Sequence, residues 1–114
     1  MTDIEKLARW MGWHEERGDW WRGIGKGERE FVIQCEDWNP TTDDADALML
    51  VDRAIELGWG VSINSVDPEL WQGNLWECIF QASGVSVDES WLYEHADTRP
   101  AAISAAVLRV IKEG

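Results

Sequence analysis

The sequence predicts an α+β domain in which helices pack on both faces of one antiparallel sheet of about three or four strands, an α-β-α sandwich. Apolar residues recur at helical spacing near 3–12, 41–58 and 98–112, and they alternate with polar residues in the stretches between. The links between the alternating stretches are too short for the crossovers that parallel strands need. At 114 residues, the chain is predicted to form a single domain over 1–114.

The stretch 41–58 carries the most complete set of helix signals. Pro40 precedes it, and a hydroxyl of Thr41 or Thr42 is predicted to cap its first turn. Gly58 follows the last apolar residue and is predicted to take the left-handed conformation that ends many helices. Three acids lie where the helix dipole favours negative charge: Asp43, Asp44 and Asp46. The predicted apolar stripe comprises Leu48, Val51 and Ile55, widened by Ala47, Leu50 and Ala54.

Two further helices are predicted near the ends of the chain. Asp3 or Thr2 is predicted to cap the first, and Gly12 to end it. Thr98 is predicted to cap the last, with Pro100 near its first turn, where proline is favoured. Their apolar stripes are Ile4, Leu7, Ala8 and Met11 in the first helix, and Ile103, Ala106, Val107, Val110 and Ile111 in the last.

Strands are predicted at 31–37, 59–66 and 75–82, with 85–87 and 91–93 forming one interrupted strand or two short ones. Val61 and Ile63 are predicted to point inward. Trp76, Cys78 and Phe80 are predicted to share one face of the sheet. We expect all these strands to pair in one antiparallel sheet.

The polar, glycine-rich stretch 14–30 is predicted to form a hairpin or an irregular excursion. It is the only stretch in which aromatic and basic residues interleave. Flat rings stack on bases and cations pair with phosphates, so this stretch is the candidate ligand-binding site. An exposed hairpin tip with alternating charge is the structural alternative. The candidate residues are Trp20, Trp21, Arg22, Lys26 and Arg29.

The formal net charge of −12 excludes some partners and favours others. Residues 1–30 hold seven acids and six bases, whereas residues 31–114 hold fifteen acids and four bases. An acidic body repels phosphates, so direct DNA binding is not expected. Solubility, a basic partner surface and mimicry of nucleic acid remain as explanations of the charge.

Cysteine and tryptophan usage bears on compartment and on binding. Cys35 and Cys78 lie in apolar runs and form no CxxC pair, which predicts reduced, buried thiols in the cytoplasm and no zinc site. No signal peptide and no membrane span is predicted. Nine tryptophans in so small a domain predict that several are partly exposed at an interface, unless they fill a thin core.

Three segments together resemble one family. The segment 7–13, LARWMGW, resembles the "VMGW" end of the first helix in small bacteriophage proteins of the phage ABA-sandwich domain family. The segment 40–43, PTTD, resembles their "PSTD" helix start, and 96–108 resembles their "ATxPLAICRAAL" helix. Ser104 stands where that family usually has Cys, and the stretch 18–30 departs from the common pattern. The resemblance implies a sheet with helices on both faces and a phage origin, hence the host bacterial cytoplasm.

Catalysis is poorly supported by the residues present, and neither a cofactor nor a metal ion is expected. His14 and His95 lie far apart in the sequence, and no nucleophile pattern is legible. The three acids at 43, 44 and 46 suit Mg²⁺ or Ca²⁺, but the helix dipole explains them sufficiently. The run 94–97, EHAD, is another weak metal candidate, more typical of a solvated approach to a helix.

Three non-catalytic functions remain open. The first is a small-molecule binder that sequesters a nucleotide-derived signal of bacterial immunity, with homo-oligomers deepening the pocket. The second is an acidic protein–protein inhibitor of a host nucleic-acid enzyme, with tryptophan anchors and fast, salt-sensitive association. The third is a phage accessory or assembly protein that only oligomerises.

Overall fold

In the part of the chain that the structure describes, the fold has three α-helices and two separate three-stranded antiparallel sheets. The computed structural model describes residues 2–66, 75–82 and 91–113. The α+β class is therefore confirmed. The elements in chain order are α1 (Asp3–Trp10), β1 (Trp13–Glu16), β2 (Asp19–Gly25), β3 (Glu28–Gln34), a 3₁₀ turn (Cys35–Asp37), α2 (Asp44–Glu56), β4 (Trp59–Val66), β5 (Leu75–Ala82), β6 (Trp91–Ala96) and α3 (Arg99–Glu113). The predicted strand at 85–87 lies outside the described residues.

The prediction of a single sheet is wrong, because the chain folds back on itself twice before α2. Arg17 and Gly18 have φ values of +54° and +80°, and Lys26 and Gly27 have +54° and +76°. Positive φ at both central residues is the signature of the tight turns that join antiparallel strands. The stretch 14–30 therefore forms β1, β2 and the start of β3. The sheet order is β1-β2-β3 in one sheet and β4-β5-β6 in the other.

The helix signals near the termini are confirmed. The Glu5 backbone N–H donates to the Thr2 hydroxyl at 3.2 Å, and Gly12 follows α1 with a φ of +85°. The Ala101 N–H donates to the Thr98 hydroxyl at 3.3 Å, which caps α3. On α3 the buried residues include three of the predicted stripe: Ile103, Ala106 and Val107. None of the helices in the described ranges is both long and apolar enough to cross a bilayer.

Two details of α2 differ from the prediction. Its N-cap is Asp43 rather than Thr41 or Thr42, since the Asp43 carboxylate accepts a 2.9 Å bond from the Asp46 N–H. The Thr41 hydroxyl instead bonds to the side chain of Asn39. The helix is also rotated about its axis relative to the predicted stripe. Ala47, Leu50 and Ala54 are buried, whereas Leu48 and Ile55 are exposed.

Helices α2 and α3 pack on the face of the sheet β4-β5-β6 that was predicted to be apolar. Cys78 and Phe80 on β5 are fully buried, and their register partners on β4 are Ile63 and Val61. These residues belong to one core cluster with the buried residues of α1, α2 and α3. The exposed side chains of this sheet include Ser62, Asn64 and Tyr93, at alternate positions. The inward assignment of Val61 and Ile63 is confirmed.

Candidate functional site

The β2–β3 hairpin holds the predicted ligand-binding residues, and it separates them. Successive side chains of a strand point to opposite faces, so neighbouring Trp20 and Trp21 face opposite ways. Trp20 is only 3% exposed and packs in the core. A stacked base needs an open ring face, which this burial does not offer. Trp20 instead contributes to the wall of a cavity of about 350 Å³ that Arg9 and His14 also line.

Trp21 and Arg29 meet on the outer face of the hairpin. The Arg29 guanidinium carbon lies 4.5 Å from the Trp21 ring centroid, the geometry of a cation–π contact. Arg29 is also ion-paired with Glu16, and Phe31 packs edge-on against Trp21 with centroids 5.9 Å apart. The predicted combination of a flat ring and a cation is present. The cation, however, covers the ring face on which a base would stack.

Arg22 lies on the other face, beside a groove of about 500 Å³ between the hairpin and α2. Half of the groove lining is apolar or aromatic: Met11, Trp13, Phe31, Val32 and Met49. The other half is charged: Arg22, Glu30, Asp52, Arg53 and Glu56. Small-ligand sites are usually apolar clefts with a few polar groups, so this groove is more highly charged than most.

Both cations of the groove already have partners. Arg22 is ion-paired with Glu30 across the β2–β3 ladder. Arg53 lies 3.6 Å from the Glu56 carboxylate, and its Nε donates to the Trp10 carbonyl oxygen at 3.4 Å. A ligand anion must therefore displace a carboxylate from a guanidinium. Exposed ion pairs are worth little, so that exchange is inexpensive for Arg22.

Lys26 lies apart from the groove, in the turn that joins β2 to β3. Its side chain is exposed, as is that of the neighbouring Ile24. The five predicted residues thus fall into four places: the core, the outer face, the groove and the hairpin tip. The groove residues contributed by α2 were missed by the sequence analysis. No sequence signal places Met49, Asp52 and Arg53 opposite a hairpin that lies far from them in the chain.

The acids at the start of α2 have structural contacts that account for them. Asp43 caps the helix, and Asp46 accepts a 2.9 Å bond from the Asn39 N–H. Asp44 accepts a 3.0 Å bond from Arg99 of α3, which raises the pKa of that guanidinium. Within the described residues, no group of three or more His, Cys, Asp and Glu side chains is arranged to hold a metal ion.

The histidines lie on different sheets. His14 is exposed on β1, directly opposite Trp21 in the ladder. The Nε2 of His95 on β6 lies 2.9 Å from a Glu77 carboxylate oxygen on β5, and Tyr93 packs edge-on against the same imidazole. The β5–β6 register creates this pair, which joins residues 18 positions apart. It was not visible in the sequence, because cross-strand register is not local.

The surroundings of both cysteines favour the protonated thiol. Burial raises the pKa of Cys78 to about 12. Cys35 is half-buried, and desolvation followed by the nearby Glu15 and Asp19 carboxylates raises its pKa. A thiol with a raised pKa is a poor nucleophile at neutral pH, because the thiolate is the reactive form. The prediction of burial is confirmed for Cys78.

Comparison with protein-family models, with curated proteins and with solved structures finds no match for this chain.

Proposed function

We propose that this chain is a non-catalytic binding protein and that the groove between the β2–β3 hairpin and α2 takes a small nucleotide-like ligand. The observation that carries the proposal is the composition of the groove. It joins the apolar side chains of Met11 and Met49 and two arginines, Arg22 and Arg53, around one cleft of about 500 Å³. Apolar contact area and guanidinium groups are the features that bind a base and a phosphate.

The groove also restricts the ligand. Two cations and three carboxylates line it, so a ligand with several phosphates would meet uncompensated negative charge. A ligand with one or two phosphates would pair with Arg22 after Glu30 moves aside. The base would pack on the methionine side chains, Met11 and Met49. Cyclic and ADP-ribose-derived nucleotides have this low charge for their size, and they are the class we propose.

Thermal unfolding against a panel of linear, cyclic and ADP-ribose-derived nucleotides tests the proposal. A ligand at 100 times its Kd adds about 2.7 kcal/mol of stability, which raises the midpoint of a domain of this size by about 10 °C or more. Arg22→Ala is expected to abolish the shift. Lys26→Ala removes an equal charge from the same hairpin outside the groove and is expected to preserve it. A flat panel, or equal losses in both variants, contradicts the groove assignment.

We propose a phage protein acting in the host bacterial cytoplasm, where it would sequester a nucleotide signal of bacterial immunity. The resemblance of three sequence segments to the phage ABA-sandwich family supports that origin. Helices on both faces of a sheet, the arrangement that this resemblance implies, remain a prediction. Assembly into a homo-oligomer would deepen the groove and remains a prediction as well.

A second candidate function is an acidic inhibitor of a host nucleic-acid enzyme. It is favoured by a specific observation: exposed aliphatic side chains on α2 lie among acids, in a chain of net charge −12. Opposite charges accelerate association, and salt screens them. Binding of such a basic partner is therefore expected to slow steeply as ionic strength rises. Salt-independent association would contradict an electrostatic inhibitor.

A further inference from the structure

The outer surface of α2 exposes aliphatic side chains that the core does not use. Leu48 is 43% exposed, Ile55 is 58% exposed, and Leu57 at the end of the helix is 48% exposed. Leu48 and Ile55 are two helical turns apart and lie on the same side of α2, about 10 Å from each other. Leu57 lies about 200° around the helix from Ile55, on the opposite side, so we call only Leu48 and Ile55 the α2 row. Clustered exposed aliphatic side chains are typical of interaction surfaces.

Acidic side chains lie beside the α2 row, mainly on the side that borders the groove. Asp52 lies one turn from Leu48, and Glu56 follows Ile55, both with exposed side chains. Asp44 precedes Leu48 by one turn and is ion-paired with Arg99. Arg53 points toward the groove side, where it bonds to Trp10 and Glu56. Asp44 and Glu56 are thus each paired with an arginine, and the negative field at the row comes from Asp52 and from the net charge of −12.

We propose that the α2 row docks a cationic amphipathic helix of a partner protein. Residues spaced by one and two turns form a ridge, and a ridge packs into the groove between the side chains of another helix. Leucine or similar side chains of the partner would cover Leu48 and Ile55. Its lysines or arginines would lie beside Asp52 and Glu56. This inference deepens the second candidate function and rests on it, since it names the partner's chemistry and the surface that holds it.

Charge argues against the other occupants of the row. A second copy of the chain would bring its own acids against Asp52 and Glu56, with a net charge of −12 on each side. Anionic bilayers and nucleic acids are negatively charged, like this chain, and are repelled. A cationic partner gains both the apolar burial and the charge attraction.

A designed peptide provides the probe. It is a labelled helix of roughly 15 residues with leucine at positions i, i+3, i+4 and i+7 and lysine elsewhere. A matched peptide carries glutamate in place of lysine, and fluorescence anisotropy reports binding to the full chain. The lysine peptide is expected to bind and the glutamate peptide is not. The Kd of the lysine peptide is expected to rise with salt.

Variants of the chain locate the binding surface. The double variant Leu48→Ser, Ile55→Ser leaves the charge unchanged and is expected to weaken lysine-peptide binding at least about tenfold. Ile24→Ser removes an equally exposed aliphatic side chain at the hairpin tip and is expected to have no effect. Circular dichroism and thermal unfolding verify that each variant is folded.

Three results would overturn the assignment. Equal lysine-peptide affinity in wild type and the double variant would mean that charge alone holds the peptide; the acidic-inhibitor function would survive, but on another surface. No binding of either peptide by wild type would remove the α2 row as a docking site for such a helix. If wild type sediments as a dimer and the double variant as a monomer, the row binds a second copy of the chain.

Discussion

The Ser104 hydroxyl of α3 donates a 2.8 Å hydrogen bond to the Pro40 carbonyl oxygen, just ahead of α2. Ser104 is buried, and Pro40 is among the fully buried side chains. The bond joins positions 64 residues apart and fixes where the chain enters α2 relative to α3. Because α2 provides one wall of the groove and also the α2 row, this contact supports both proposed surfaces.

Ser104→Ala is expected to lower the free energy of unfolding by about 1–3 kcal/mol, since it leaves a buried carbonyl oxygen without its donor. Urea unfolding followed by far-ultraviolet circular dichroism measures the change. Ser65→Ala removes an exposed hydroxyl from β4 and is expected to change stability by less than about 0.5 kcal/mol. Equal effects of the two substitutions would show that the Ser104–Pro40 bond contributes nothing specific.

Trp20→Ala and Trp21→Ala are expected to differ sharply, although the residues are adjacent. Trp20 is in the core, so its truncation is expected to cost about 3–5 kcal/mol of unfolding free energy. Trp21 is half-buried, and its loss removes the Arg29 contact and part of the outer face, about 1–2 kcal/mol. Guanidinium unfolding of the two variants measures both costs. A larger cost for Trp21 would reverse the assignment of the two hairpin faces.

Local signals in the sequence predicted the helices well. The signals that begin and end a helix depend only on neighbouring residues. They include capping by Thr2 and Thr98 and the glycines that follow α1 and α2. Which face of α2 is buried does not depend on neighbouring residues alone. Neighbours such as Ala47 and Leu48 differ by about 100° around the helix, and the small side chain is the buried one. The small side chain of Ala47 allows neighbouring elements to pack close to α2. The apolar pattern of α2 does not show where such close packing is needed.

The sheets and the site depend on contacts between residues that are distant in sequence, and local patterns do not predict these contacts. The prediction of a hairpin or irregular excursion at 14–30 did not anticipate that two tight turns would create a sheet of its own there. The five candidate residues were chosen because they are close in sequence, but strand alternation sends Trp20 and Trp21 to opposite faces. Groove residues such as Arg53, and the Glu77–His95 pair, come together only through tertiary packing and strand register.

Gly58→Ala is expected to destabilise the chain by about 1 kcal/mol. Gly58 follows α2 with a φ of +95°, a conformation that disfavours a Cβ, although no atom lies within 4 Å of the added methyl position. The cost is therefore conformational rather than steric. Thermal unfolding of Gly58→Ala beside Gly23→Ala tests this. Gly23 has equal space and no positive φ, so its variant is expected to match or exceed wild-type stability. A similar loss in both variants would refute the conformational explanation.

The stability of the chain is expected to fall in alkaline solution through Cys78. Burial raises the pKa of its thiol to about 12 in the folded chain, from 9.0 for a solvated thiol. Well below pH 9.0 the thiol is protonated in both states, and this contribution to stability is fully present. Above that pH only the unfolded state loses the proton. The contribution then declines by about 1.4 kcal/mol for each pH unit until the folded thiol also ionises.

Urea unfolding at a series of pH values from about 8 to 11 measures this decline. Cys78→Ala is expected to be less stable than wild type near neutral pH, because it leaves a small cavity, but to lose less stability as the pH rises. Cys35→Ala removes the half-buried thiol and is expected to retain most of the wild-type pH dependence. Lysine, arginine and tyrosine titrations are common to all three proteins and cancel in the comparison. Parallel pH profiles for wild type and Cys78→Ala would mean that the Cys78 thiol is accessible to water in the folded chain.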